Sequence, residues 1–79
     1  YIHVAGHYVE ADGLLVDTHG ADVIDPVWAL LAETYARIGG EVPTCLERDF
    51  NFGHFSGLTA EVGRIAELQA ASRRERRVA

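Results

Sequence analysis

Seventy-nine residues, 48% apolar and 24% charged, make one small globular domain at most and exclude a chain dominated by disorder. The net charge of −5 hides a split, because residues 1–72 carry eleven acids against three arginines while Arg73, Arg74, Arg76 and Arg77 crowd the end. So acidic a body argues against nucleic acid as a partner, and the lack of any apolar run of about 18 residues excludes a spanning helix.

The first element in chain order is Tyr1-Ile2-His3-Val4-Ala5, a short β-prone run closed by Gly6. A second run, Leu14-Leu15-Val16-Asp17, follows the turn-like Ala11-Asp12-Gly13. Both are apolar at successive positions, which suits strands of a parallel sheet buried on both faces. A helix then starts with Asp25 as N-cap and Pro26 at its first position, carries Trp28, Leu31, Tyr35 and Ile38 as one apolar stripe, and stops at Gly39-Gly40. Val42 to Glu47 is a third strand candidate, with Pro43 near its start. After a loop from Arg48 to Phe55, Ser56 caps a last helix with the stripe Leu58, Val62, Ile65 and Leu68. The four arginines of residues 73–79 form a basic tail, read as a solvated helix end that suits the negative C-terminal pole.

Strands alternating with helices predict an α/β fold with a parallel sheet. Three strands cannot close a barrel, which takes about 200 residues or more. The chain opens on Tyr1 with no charged leader, and reads as cut from something longer. Cys45, the single cysteine, rules out an intrachain disulfide, and no zinc-finger spacing is present, so a reducing cytoplasm is the expected compartment.

The chemistry-bearing side chains gather where these strands end. His3 and His7 bracket the end of the first, Asp17 and His19 close the second, and Glu47 and Asp49 close the third. Carboxyl ends of parallel strands are where such folds place reactive groups. Asp17 and His19, two apart, can face one centre with His3 and Glu47. Imidazole with carboxylate and without thiolate suits iron, manganese or zinc. Plainer readings stand beside this one: Asp17 as a turn residue hydrogen-bonded by His19, His3 as a core histidine, and Glu47 as a surface ion-pair partner of Arg48 or Arg37. Cys45 is expected to pack in the core, His7 and Asp49 to orient ligands, and His54 to be an exposed loop residue.

Four segments, Ile2-His3-Val4-Ala5-Gly6-His7, Asp17-Thr18-His19-Gly20, Pro26-Val27-Trp28-Ala29-Leu30 and Pro43-Thr44-Cys45-Leu46-Glu47-Arg48-Asp49, resemble in their order the signatures of the UPF0276 or DUF692 family, the multinuclear non-haem iron-dependent oxidases. The resemblance implies that residues 1–72 are the C-terminal strand and helix units of a xylose isomerase-like TIM (β/α)8 barrel with two or more metal ions, commonly iron, at its mouth. It also implies an enzyme that uses dioxygen to modify cysteine residues of ribosomally made precursor peptides, with a partner protein presenting the peptide. His3, Asp17, His19 and Glu47 fall on positions resembling metal ligands, and His7 on a family histidine that serves as ligand or proton donor and is the candidate catalytic residue. The family usually continues Glu-x-Asp with isoleucine and proline, whereas here Phe50-Asn51-Phe52-Gly53-His54 follows.

The same ligands would also serve a zinc or manganese hydrolase or isomerase. A third expectation is an acidic binding module without activity, since four ligands rarely complete a multinuclear site. On that footing the 79-residue chain alone is expected to be inactive, and an open sheet edge would favour self-association.

Overall fold

The computed structural model describes residues 1–40 and 42–78, and side chains as far as Glu75. In chain order the elements are β1 (Ile2–Ala5), β2 (Tyr8–Val9), β3 (Leu15–Val16), α1 (Asp25–Ile38), β4 (Thr44–Glu47) and α2 (Phe55–Val78). β1 and β4 pair in parallel, with Ile2 opposite Thr44 and Ala5 opposite Glu47. The Ile2 N–H donates to the Pro43 carbonyl at 3.0 Å, so the proline lies just outside the strand expected from Val42, where its missing donor costs nothing. α1 makes the crossover between the two strands, giving a β-α-β-α unit that does not itself close a barrel.

The run Leu14–Asp17 is not a buried parallel strand. Leu15 and Val16 pair antiparallel with Val9 and Tyr8, and the hairpin lies in the connection between β1 and α1. Its apolar side chains face outward, Tyr8, Val9, Leu14 and Leu15 each being more than half exposed. The expectation failed because an apolar run has no period, and the turn chemistry at its entry decided the outcome. The Asp12 carboxylate accepts the Leu14 N–H at 3.0 Å, and the Glu10 and Leu14 backbones bond at 2.9 Å.

Strand alternation puts Ile2, Val4, Thr44 and Leu46 on one side of the β1–β4 pair and His3, Ala5, Cys45 and Glu47 on the other. The helices cover only the first side. The buried cluster is Val4, Val23, Trp28, Leu31, Tyr35 and Ile65, with Ile2, Val27, Val42, Leu46 and Leu68 packed on it. Each such buried side chain is worth about 1.5–3 kcal/mol relative to exposure. Cys45 is exposed, not core, because it points to the uncovered side.

Asp25 is the first residue of α1 rather than its cap. Ile24 takes the capping position with no side-chain bond, and Asp25 adds its charge to the positive first turn instead. The inward stripe of α1 ends at Tyr35, and Ile38, in the final turn before the left-handed Gly39, is 54% exposed. In α2, Ser56 is a helical residue and not a cap, since the helix begins at Phe55. Its inward stripe runs through Leu58, Glu61, Ile65, Leu68 and Ser72, while Val62 is exposed. Leu58, Ile65 and Leu68 thus face inward as expected, and Glu61 takes the place expected for Val62 because it has polar partners beneath the helix: the Val23 N–H at 2.7 Å and Arg48 at 3.0 Å. Tyr35, with no exposed surface, bonds through its hydroxyl to Thr44 and receives the Gln69 amide at 3.4 Å, tying both helices to β4.

α2 continues through the basic tail, and the side chains of residues 76–79 lie outside the described residues. Among the described residues no helix is long and apolar enough to cross a membrane.

Candidate metal centre

The site is built at the carboxyl ends of β1 and β4 on the side the helices leave bare. His3 reaches from β1 across to β4, its Nδ1 lying 2.7 Å from Glu47 Oε2. With Glu47 ionised, that nitrogen carries a proton and donates it to the carboxylate. Glu47 therefore pairs with neither Arg48 nor Arg37; Arg37 is engaged by Glu33 on α1.

His19 comes from the loop between the hairpin and α1 rather than from a strand end. Backbone bonds insert this loop between the two strand termini: the His19 N–H donates to the Gly6 carbonyl at 3.2 Å, and the Asp49 N–H donates to the His19 carbonyl at 2.7 Å. The close approach depends on Gly6, where an added Cβ would sit 1.9 Å from the Ala21 carbonyl oxygen. His19 itself holds a left-handed backbone, φ 56°, which is strained for a residue with a side chain and recurs at functional sites.

The imidazole of His19 lies among three carboxylates. Nε2 is 2.7 Å from Asp17 Oδ1, and Nδ1 is 3.5 Å from both Glu47 Oε1 and Asp49 Oδ2. The two longer distances exceed a good hydrogen bond. They match the roughly 3.4 Å that separates two donors each about 2.1 Å from a tetrahedral ion. One donor atom each from His19, Glu47 and Asp49 fall within 4.8 Å of one another. His19 is about one-quarter exposed and Glu47 about one-third, while Asp17 at 83% stands at the rim.

Electrostatics follows the geometry. Burial alone would lower the His19 pKa, but Asp17, Glu47 and Asp49 together outweigh it and hold it above its ordinary 6.5. The hydrogen bond from His3 is the main cause of a Glu47 pKa below its ordinary 4.5; desolvation opposes it and the attraction of His19 adds to it. Both shifts favour the charged form when no cation is bound, and a cation would take the place of the imidazole proton.

Of the residues expected from the sequence, the structure brings His3, Asp17, His19 and Glu47 into one connected set. Asp49, expected as an orienting partner, contributes a donor to the same cluster. Alternation already carried that signal, since Asp49 lies two residues beyond Glu47. Asp17 is placed on the far side of the His19 ring, where its carboxylate fixes which nitrogen faces the cluster. His7, half-buried just past β1, makes no side-chain hydrogen bond or ion pair among the described residues. His54 is exposed, as expected, and its carbonyl accepts the Gly57 N–H at the start of α2.

Comparison with known proteins agrees with this assembly of motifs. The UPF0276 protein of Shewanella amazonensis is 57% identical over 77 residues, which is 98% of this chain and 27% of that protein. That of Nitrosospira multiformis is 57% identical over 70 residues, 89% of this chain and 24% of the relative. A Neisseria meningitidis serogroup B relative is 55% identical over 75 residues, 95% of this chain and 27% of its own length. The chain therefore spans about a quarter of the length of the curated relatives it matches. No solved structure matches it. The model of the RiPP precursor modification enzymes MbnB/TglH/ChrH matches residues 1–70, every segment that builds the histidine and carboxylate cluster included, and the chain belongs to that family.

Proposed function

We propose that this chain supplies ligands to a metal centre in an enzyme that modifies a ribosomally made precursor peptide, and that the metal is iron, as two or more ions. The observation that carries the reading is the convergence of His19, Glu47 and Asp49 donor atoms within 4.8 Å. The donor set fits the group: two imidazoles and three carboxylates without a thiolate suit iron, manganese or zinc and not copper(I). His3, Asp17, His19 and Glu47 are the proposed ligands, with Asp49 beside them. The β-α-β-α unit takes the place of the last strand and helix units of a xylose isomerase-like TIM barrel, whose strands present their carboxyl ends to one mouth.

When bound, iron supplies redox chemistry toward dioxygen and Lewis acidity toward a peptide cysteine thiolate. The chain's own residues do the positioning. Glu47 is held ionised by His3 and His19, so it offers a charged oxygen without first losing a proton. Asp17 holds the His19 ring and keeps Nδ1 turned toward Glu47 and Asp49. His7, one residue past the Gly6 carbonyl that anchors His19, is the group proposed to carry a proton, its ring making no hydrogen bond among the described residues. The acidic rim suits cations, and a peptide-presenting partner protein is proposed to bring the substrate in.

Anaerobic loading with ferrous iron, followed by metal analysis and Mössbauer spectroscopy, tests the assignment. High-spin iron signals whose intensity falls in Glu47→Gln and His19→Ala are expected. A protein that retains no metal sinks the reading, and one that retains only zinc or manganese, silent in that spectrum, moves it to Lewis-acid hydrolysis or isomerisation.

A further inference from the structure

We propose that Arg48 is a positioning residue for the metal centre, acting through Asn51 and the His19 loop from the opposite side of the strand. Glu47, Arg48 and Asp49 are consecutive, and extended backbone sends the outer two to the metal side and the middle one beneath the sheet. There the Arg48 side chain is only 9% exposed. Its Nη2 donates to Asp22 Oδ1 at 2.7 Å and Glu61 Oε1 at 3.0 Å, and its Nη1 donates to the Asn51 carbonyl at 2.9 Å. The other Glu61 oxygen accepts the Val23 N–H at 2.7 Å.

Asn51 passes the constraint on. Its side-chain amide donates to the Gly20 carbonyl at 3.1 Å, next in sequence to His19. Asn51 and His19 are the two described non-glycine residues with positive φ, both at 56°. Such backbones persist only where their surroundings over-determine them. A continuous set of bonds therefore runs from Glu61 on α2 through Arg48 to Asn51, across to Gly20, and from the His19 carbonyl back to the Asp49 N–H. It encloses His19 and Asp49 and fixes the strand that carries Glu47.

The chemistry calls for arginine. A guanidinium presents donors in a rigid fork that can meet two carboxylates and a carbonyl at once, whereas a lysine ammonium is a single point on a flexible stem. Arg48→Lys keeps the buried positive charge for Glu61 and removes an Nε–H that is buried without a partner among the described residues, so the fold should survive it. What it loses is the tie to Asn51.

The proposal rests on the metal reading above, and the test separates the two. Wild-type protein, Arg48→Lys and Asn51→Gly are titrated with Co2+ alone, and the His19 imidazole nitrogen resonances are recorded without metal. Asn51→Gly leaves the buried ion pairs intact, tolerates the left-handed backbone and deletes the amide tie to Gly20, so it tests the step through which Arg48 is proposed to act should Arg48→Lys fail to fold. Both variants are expected to keep the wild-type circular dichroism, to bind Co2+ about 10- to 100-fold more weakly with shifted visible bands, and to show displaced His19 resonances. Wild-type Co2+ affinity and wild-type His19 resonances in the folded variants would overturn it. Should even the wild type take up no Co2+, the metal reading falls on its own, and the metal-free His19 resonances still decide for or against the role of Arg48.

Discussion

His19 carries more of the site than any other residue, through its strained backbone, its three carboxylate neighbours and its place between two strand ends. Its pH behaviour follows from the two shifted groups. The His19 pKa is raised, so its contribution to stability is full below its ordinary 6.5 and is lost as pH rises through the higher folded value. The Glu47 pKa is lowered, so its contribution is full above 4.5 and is lost as pH falls through the lower folded value. Metal-free protein should therefore be most stable between those ordinary values of 4.5 and 6.5, by a margin that solvent screening keeps small. Melting temperature against pH checks this, and His19→Ala should flatten the alkaline side. Metal affinity should run the other way and climb as His19 loses its proton, because only the neutral ring binds a cation. Much of this site was legible, since His3, Asp17, His19 and Glu47 can be picked out by residue type at the ends of apolar runs. Arg48 was not, because a basic residue between two acids reads as a surface charge until the fold shows Glu61 and Asp22 beneath it.

At the scale of elements, stability rests on contacts that join helices to the parallel pair. Tyr35→Phe removes a buried hydroxyl bonded to Thr44 and Gln69, while Thr44 keeps its bond to the Val42 carbonyl at 2.9 Å. A loss of about 0.5–1.5 kcal/mol in urea unfolding is expected. Gly6→Ala should cost more, about 1–3 kcal/mol, because a Cβ 1.9 Å from a carbonyl oxygen forces backbone to move. It should weaken metal binding as well, since the same residue holds the His19 N–H. Both helices and the outer two strands could be read from caps, stripes and breakers to within a few residues. The hairpin could not, as Leu14-Leu15-Val16 carries no period and its antiparallel pairing depends on the turn at Asp12 and Gly13. Nor could the inward turn of Glu61 in place of Val62, since a carboxylate at that position faces inward only when a buried guanidinium awaits it.

Across the whole molecule, the helices close one side of the parallel pair and leave the other, with His3, Cys45 and Glu47, in contact with solvent. Tyr8, Val9, Leu14, Leu15, Phe50 and Phe52 are further exposed apolar side chains of the molecule. Both outer edges of the β1–β4 pair are unpaired among the described residues. Self-association is the expected consequence, and sedimentation velocity at rising concentration should show mass increasing without loss of helical signal. We propose that this open side is a metal centre organised on Glu47, the carboxylate that meets both His3 and His19 among the described residues. Anaerobic calorimetric titration of wild-type protein and Glu47→Gln with ferrous iron tests it most directly. Saturable binding by the wild type is expected, with a loss of about 10-fold or more in affinity for a folded Glu47→Gln. Equal binding by the two proteins, or none by the wild type, would contradict it.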